Sequence, residues 1–177
     1  MATVRSAVRS DAAGAEAVWT SVAAEGEWIG AELPLEPGWR DRFVEVLDAP
    51  ETTWFVAEAD GVVIGGVYVQ AMQGIAHLGM AIVDGHGGAG LGRALLDAAI
   101  AWAREQNCHK VGLEVWPHNL RARRLYQRAG FVDEGVLRRH YRRRNGELWD
   151  AVVMGLVLDV DSPGRPASTA DHALKQA

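Results

Sequence analysis

The stretch Leu113-Glu114-Val115-Trp116-Pro117-His118-Asn119-Leu120-Arg121-Ala122-Arg123-Arg124-Leu125-Tyr126-Gln127-Arg128-Ala129-Gly130-Phe131 changes character twice within a few residues. Val111 to Trp116 is a short apolar run, the pattern of a buried strand. Pro117-His118-Asn119 interrupts it and offers a helix start, because an Asx side chain satisfies an orphan amide of the first turn. Leu120 to Ala129 then reads as a short helix, closed by Gly130. Asn119 and Tyr126 stand two helical turns apart and so share a face. Taken alone, Asn119 is a cap and Tyr126 is a core tyrosine of an amphipathic helix.

Upstream lies a second strand, turn and helix. In Met80-Ala81-Ile82-Val83-Asp84-Gly85-His86-Gly87-Gly88-Ala89-Gly90-Leu91-Gly92-Arg93-Ala94-Leu95-Leu96 an apolar run ends at Asp84, glycines crowd the turn, and an Ala/Leu-rich helix begins. Unpaired amides and the positive end of the macrodipole at a helix start, approached closely through glycine, make an anion site of the kind that takes phosphate. A P-loop is excluded, since Arg93 and Ala94 follow Gly92 where Lys and Ser or Thr are required. Gly85 to Gly90 matches the dinucleotide letters GxGxxG, and Glu114 lies near the place of a ribose-binding acid. That fold needs further parallel βαβ units, and the chain offers one short helix and then a hairpin.

The remaining elements follow from periodicity. Thr3 to Val8 is a strand, and Asp11 is placed to cap a helix over Ala12 to Glu25 with Ala15, Val18, Trp19 and Val22 inward. Residues 25–38 are irregular. A second helix presents Trp39, Phe43, Val46 and Leu47 on one face. Thr52–Ala59, Val62–Met72 and Ile75–Val83 form a meander across Asp60-Gly61 and Gln73-Gly74. Leu91–Glu105 is a helix with Leu95, Leu96, Ala99 and Trp102 inward. Phe131–Tyr141 and Leu148–Leu158 form a hairpin across Asn145-Gly146. The expected fold class is α/β, a mixed and mostly antiparallel central sheet of about seven strands flanked by about four helices. Residues 1–158 make one domain; the tail 159–177, with Ser162-Pro163-Gly164-Arg165-Pro166, is expected to be flexible.

Composition narrows the classes. A chain of 177 residues, 49% hydrophobic and 23% charged, is an ordinary globular domain with room for a core. Its net charge of −5 disfavours nucleic acid as partner. The single cysteine, Cys108, precludes an internal disulfide and a cysteine metal site. No run approaches the ~18 apolar residues of a membrane span, and no signal-peptide core opens the chain, so a cytoplasmic protein is expected.

The two motifs together, in this order and about 30 residues apart, resemble the GNAT N-acetyltransferase superfamily. Gly87-Gly88-Ala89-Gly90-Leu91-Gly92 is similar to its Q/R-x-x-G-x-G/A pyrophosphate loop, with Gly87 in place of the usual Gln or Arg. Asn119, the Ala-x-x-Leu-Tyr pattern ending at Tyr126, and Gly130-Phe131 are similar to its second signature. The later Glu134-Gly135 and Asn145 to Met154 look like the amino-acid and phosphinothricin N-acetyltransferase branch. The resemblance covers roughly residues 3–158 and implies acetyl-CoA as co-substrate, no metal, and direct transfer to an amine in a ternary complex. It implies that main-chain groups of Ile82, Val83 and Asp84 meet the pantetheine arm. Gly87, Gly88, Ala89, Gly90, Leu91, Gly92 and Arg93 hold the pyrophosphate, and Asn119 contacts the cofactor. Tyr126 becomes the general acid for the leaving thiolate. Family members are often dimers, so a homodimer is an open expectation.

The base is open. In the family a fourth-strand glutamate or a relayed water does this work, and here that strand carries only His77 as a titratable group. Glu114 on the next strand is the other side-chain candidate, with relayed water the default. Glu25, Glu27, Trp28 and Glu32 form an acidic, aromatic cluster suited to a cationic amine; Glu25, Trp28 and Glu32 are the expected substrate contacts. The expected acceptor is a small primary amine, amino-acid-like, with a peptide or protein N-terminus or a non-catalytic acyl-CoA-binding module as alternatives. The run Arg138 to Arg144 splits between two strand faces and reads as a solvated, charge-protected edge. No nucleic acid or membrane partner is expected.

Overall fold

Seven strands, β1 (Thr3–Ser6), β2 (Thr52–Ala59), β3 (Val62–Met72), β4 (Ile75–Ile82), β5 (Lys110–Val115), β6 (Val132–Arg142) and β7 (Leu148–Val157), form one sheet in the order β1-β2-β3-β4-β5-β7-β6. The computed structural model describes residues 2–85 and 90–158. Every neighbouring pair is antiparallel except β4 and β5. That exception follows from connectivity: α3 (Leu91–Glu105) carries the chain from the end of β4 back to the start of β5, and such a crossover delivers a parallel strand.

Helices α1 (Ala12–Glu25) and α2 (Trp39–Asp48) cover one face. Ala15, Val18 and Val22 of α1 are almost fully buried, and Trp19, Trp39, Phe43, Trp54 and Tyr68 pack edge and face beneath them. On the other face α3 and α4 (Leu120–Arg128) close the larger core, where Leu95, Leu96 and Ala99 meet Val67, Val69, Val111 and Met154. These are the inward positions expected from periodicity. Cys108 sits in this core, and burial pushes its thiol up.

Asp11 departs from expectation. It occupies the cap position of α1 but makes no side-chain cap bond. Arg5 takes both its carboxylate oxygens, at 2.7 and 2.9 Å, and the Val8 amide donates to it at 2.8 Å. A charge-assisted bidentate pair outcompetes a capping bond. The expected tail, with residues 86–89 of the glycine turn, lies outside the described residues.

One feature of the sheet creates the site. Strands β4 and β5 pair only through Ile75–Lys110, Ala76–Val111 and His77–Gly112. Beyond that point β4 stays in unbroken register with β3, while β5 stays with β7. The two central strands therefore fork.

Candidate active site

The fork opens into a cleft of about 480 Å³. Its walls are Leu78 to Ile82 from β4, Glu114 and Val115 from β5, and Asn119, Ala122, Leu125 and Tyr126 from the start and inner face of α4. The far wall is Trp19, Val22 and Glu25 of α1 with Trp28 to Ala31 behind it, and Trp116 and Tyr141 complete the rim.

The β4 wall offers main chain. Val83 donates to the Ile64 carbonyl at 3.0 Å, extending the β3–β4 ladder. Alternation along an antiparallel strand then turns the main-chain groups of Leu78, Met80 and Ile82 away from β3, toward the fork. Of the three residues expected to serve a pantetheine arm, Ile82 has its main chain on the open side. Val83 has spent its amide on β3, and the Asp84 carboxylate faces Arg121 across the mouth at 3.8 Å, a solvent-exposed pair. At the end of this edge, Gly90 takes a left-handed φ of 79° as the residue before α3. A Cβ on Gly92 would stand 3.0 Å from Leu125 Cδ2, so glycine lets the α3 start approach α4. Leu91 is buried in the core beneath. Gly87, Gly88 and Ala89 lie outside the described residues.

An extended arm ending in phosphates fits this edge: unpaired strand main chain leads to a glycine-led helix start. Arg93 does not turn toward that start. Its Nε donates to Asp97 at 2.8 Å and its Nη1 to the Arg128 carbonyl at 3.2 Å, so it staples α3 to the end of α4.

Tyr126 is 6% exposed, with its ring 5.9 Å from Phe131, and it also lines the cleft. Burial pushes its phenol up to about 12, so it keeps its proton across the physiological range. Glu114 faces the same cleft and accepts a 2.6 Å hydrogen bond from the Tyr141 hydroxyl. Burial first, and then that carboxylate, push the Tyr141 phenol up to about 12. Glu25 accepts from Trp28 Nε1 at 2.7 Å, and both line the acceptor side.

Asn119 does two things. Its Oδ1 accepts from the Ala122 amide at 3.1 Å, capping α4, and its Nδ2 donates to the Trp28 carbonyl at 3.4 Å. His77 is not gathered into the cleft; it sits where β4 and β5 still pair, exposed. Glu32 also stands apart, accepting from the Arg144 amide and facing Arg143 Nε at 3.4 Å. Within the basic run, β6 is indeed the exposed edge strand, but Arg143 is 5% exposed, against the expectation of a solvated residue.

Tyr141, Trp116, His118 and Arg143 were not legible as site residues. Tyr141 reaches the cleft through a bulge: between Leu137–Ala151 and Tyr141–Trp149 the β6 strand carries extra residues, and Arg139, at φ 51°, donates its amide to Asp150 at 2.6 Å. A bulge of this kind re-aims the next side chain, and no local pattern announces it. His118, next to Asn119 in the turn, did have a signal by position.

Comparison with known proteins decides what this cleft belongs to. Residues 15–131 match the model of the acetyltransferase (GNAT) family. The chain belongs to that family. It is an N-acetyltransferase, an acyltransferase, and GNAT enzymes use acetyl-CoA. An N-alpha-acetyltransferase of Sulfurisphaera tokodaii is 34% identical over 130 residues, covering 66% of this chain and 75% of that protein. A Bacillus subtilis protein provisionally named a ribosomal protein bS18-alanine N-acetyltransferase is 30% identical over 134 residues, covering 74% and 86%. A Salmonella typhimurium structure described with its cofactor acetyl-CoA shares the GNAT fold at TM-score 0.81 and 22% identity, over 94% of this chain and 99% of that one. Among the described residues, no cluster of His, Cys, Asp and Glu is arranged to hold a metal, and no helix is long and apolar enough to cross a membrane.

Proposed function

We propose that this GNAT enzyme acetylates the α-amine at the N-terminus of a peptide or protein. The observation that carries the reading is the lining of the acceptor half of the cleft. Glu25 and Glu114 supply carboxylates, and Trp19, Trp28, Trp116 and Tyr141 supply rings. Among the described lining residues the one cation is Arg121, at the mouth opposite Asp84. A free amino acid would bring its own carboxylate beside the amine, next to Glu25 and Glu114 and away from Arg121 at the mouth, and a charge so placed is costly. A peptide N-terminus replaces that carboxylate with a neutral amide. The names of the two sequence relatives support the same choice over a small-molecule amine.

When bound, acetyl-CoA supplies an acetyl thioester whose sulfur leaves as the thiol. The forked edge of β4 orients it, with the Met80 and Ile82 main chain on the open side and Gly90, Leu91 and Gly92 at the phosphate end. Glu114 takes the proton from the acceptor ammonium, and Tyr141 steadies that carboxylate through its hydroxyl. Tyr126, still protonated, offers its hydroxyl to the departing sulfur. Asn119 holds the acceptor wall to α4 rather than reaching for the cofactor.

The test is thiol release from acetyl-CoA with short peptides bearing free N-termini, the same peptides blocked at the N-terminus, and free amino acids. Turnover with the free-ended peptides alone is expected. In Tyr126→Phe and Glu114→Gln, kcat should fall by about 10²-fold with CoA affinity retained. Equal or better turnover of free amino acids would overturn the peptide reading, and a fully active Tyr126→Phe would remove Tyr126 as the acid.

A further inference from the structure

The acceptor wall formed by Trp28 to Ala31 belongs to a segment with no helix or strand of its own, residues 26–38. Such a segment holds its shape only if its main-chain groups are taken by something else. Four successive carbonyls are taken, all by side chains from the turn before α4 and the turn between β6 and β7. His118 Nε2 donates to Glu27 at 2.8 Å, and Asn119 Nδ2 to Trp28 at 3.4 Å. Arg143 Nη1 serves Ile29 at 3.5 Å and Gly30 at 3.2 Å.

Arg143 is the centre of this arrangement. Its guanidinium lies 4.5 Å from the Trp149 ring centroid and 5.6 Å from that of Trp116, itself a wall of the cleft. Glu32 faces its Nε and accepts the Arg144 amide on both carboxylate oxygens, at 3.2 and 3.1 Å. Arg144 Nη2 adds a bond to the Pro34 carbonyl at 3.0 Å. A buried ion pair is a poor source of stability, since a well-packed apolar side chain between two tryptophans would serve as well or better. What the planar, five-donor fork does that methionine or lysine cannot is bind two carbonyls and a carboxylate at once in fixed directions.

We infer that Arg143, locked by Glu32, is a positioning residue for the acceptor: it sets the Trp28–Ala31 wall against Trp116 and so governs acceptor affinity, without touching the reacting atoms. The inference rests on the acceptor entering beside this wall, as in the proposed function, but not on its being a peptide.

The experiment measures both substrates' KM and kcat, with the amine of the panel that the native enzyme turns over best, in Glu32→Ala, Glu32→Gln, Arg143→Met and Arg143→Lys. Amide hydrogen exchange over residues 26–36 is followed in the same proteins. Glu32 is half-buried, more open than Arg143, so Glu32→Ala tests the lock even if the Arg143 variants fold poorly. Glu32→Ala and both Arg143 variants should raise acceptor KM about tenfold, with kcat and acetyl-CoA KM within about twofold. Exchange over 26–36 should quicken while the sheet is unchanged. Glu32→Gln keeps an acceptor for the Arg144 amide and should restore most of the acceptor affinity. If acceptor and acetyl-CoA KM rise together, Arg143 is a general stability element and the inference fails. If Glu32→Gln is as impaired as Glu32→Ala while exchange stays native, Glu32 contacts the amine directly and the lock is wrong. A panel in which a non-peptide amine is best would end the peptide reading while leaving this test intact.

Discussion

At Tyr126 one side chain serves packing and, in the proposed mechanism, also the chemistry. Its ring fills the larger core, and burial holds its phenol at about 12. The unfolded chain ionises this phenol from about pH 10 while the folded chain does not. Above that pH the folded state binds more protons, so stability falls as pH rises through the interval between the two values. The slope is about 1.4 kcal/mol per pH unit for this group. Urea unfolding at about pH 9 and about pH 11 should therefore show an alkaline loss that is smaller in Tyr126→Phe than in the native chain. Helical spacing put Tyr126 and Asn119 on one face, and only the family resemblance marked them as candidate site residues. Glu114 was legible only as one of two side-chain candidates for the base, with relayed water the default; the Tyr141 hydroxyl that meets it arrives from a strand 27 residues away. Arg93 stands in the turn read as an anion site, and its side chain pairs with Asp97 and the Arg128 carbonyl.

Between elements, the start of α3 meets α4 where Gly92 lies against Leu125. Gly92 permits it, with Leu125 Cδ2 and Ile82 Cδ1 standing 3.0 and 3.5 Å from where a Cβ would be. Gly92→Ala adds that methyl to a packed contact, which costs about 1–3 kcal/mol, less about 0.5–1 kcal/mol for the better helix propensity of alanine. A small net loss of thermal stability is expected, with a larger loss of CoA affinity because the α3 start is pushed from β4; a melt and a CoA titration check the two. Nearly every element was legible to within a residue or two, since each carries its own period: Thr52–Ala59 and Val62–Met72 around Asp60-Gly61 came out as read. The bulge that turns Tyr141 inward was not, because Arg138-Arg139-His140 carries no turn signal and the Asp150 carboxylate that accepts the Arg139 amide lies in another strand.

Over the whole molecule, one core behind β3, β5 and β7 bears most of the burial, and Leu95 is fully enclosed in it. Leu95→Ala should lower the free energy of unfolding by about 2–5 kcal/mol, set by how far the site can collapse, and chemical denaturation would measure it. The cleft lies at the fork rather than in that core, so the variant should keep its KM values at temperatures where it stays folded. Strand and helix periods, turn residues and the two motifs, all local in the chain, were enough to determine the order of elements, the mixed sheet and the GNAT family. The fork between β4 and β5, the pairing of Tyr141 with Glu114, and the capture of the 26–36 segment by Arg143 were decided only by the tertiary structure. Each depends on groups brought together from distant parts of the chain, and charged side chains choose among several partners by distance, which no linear pattern records.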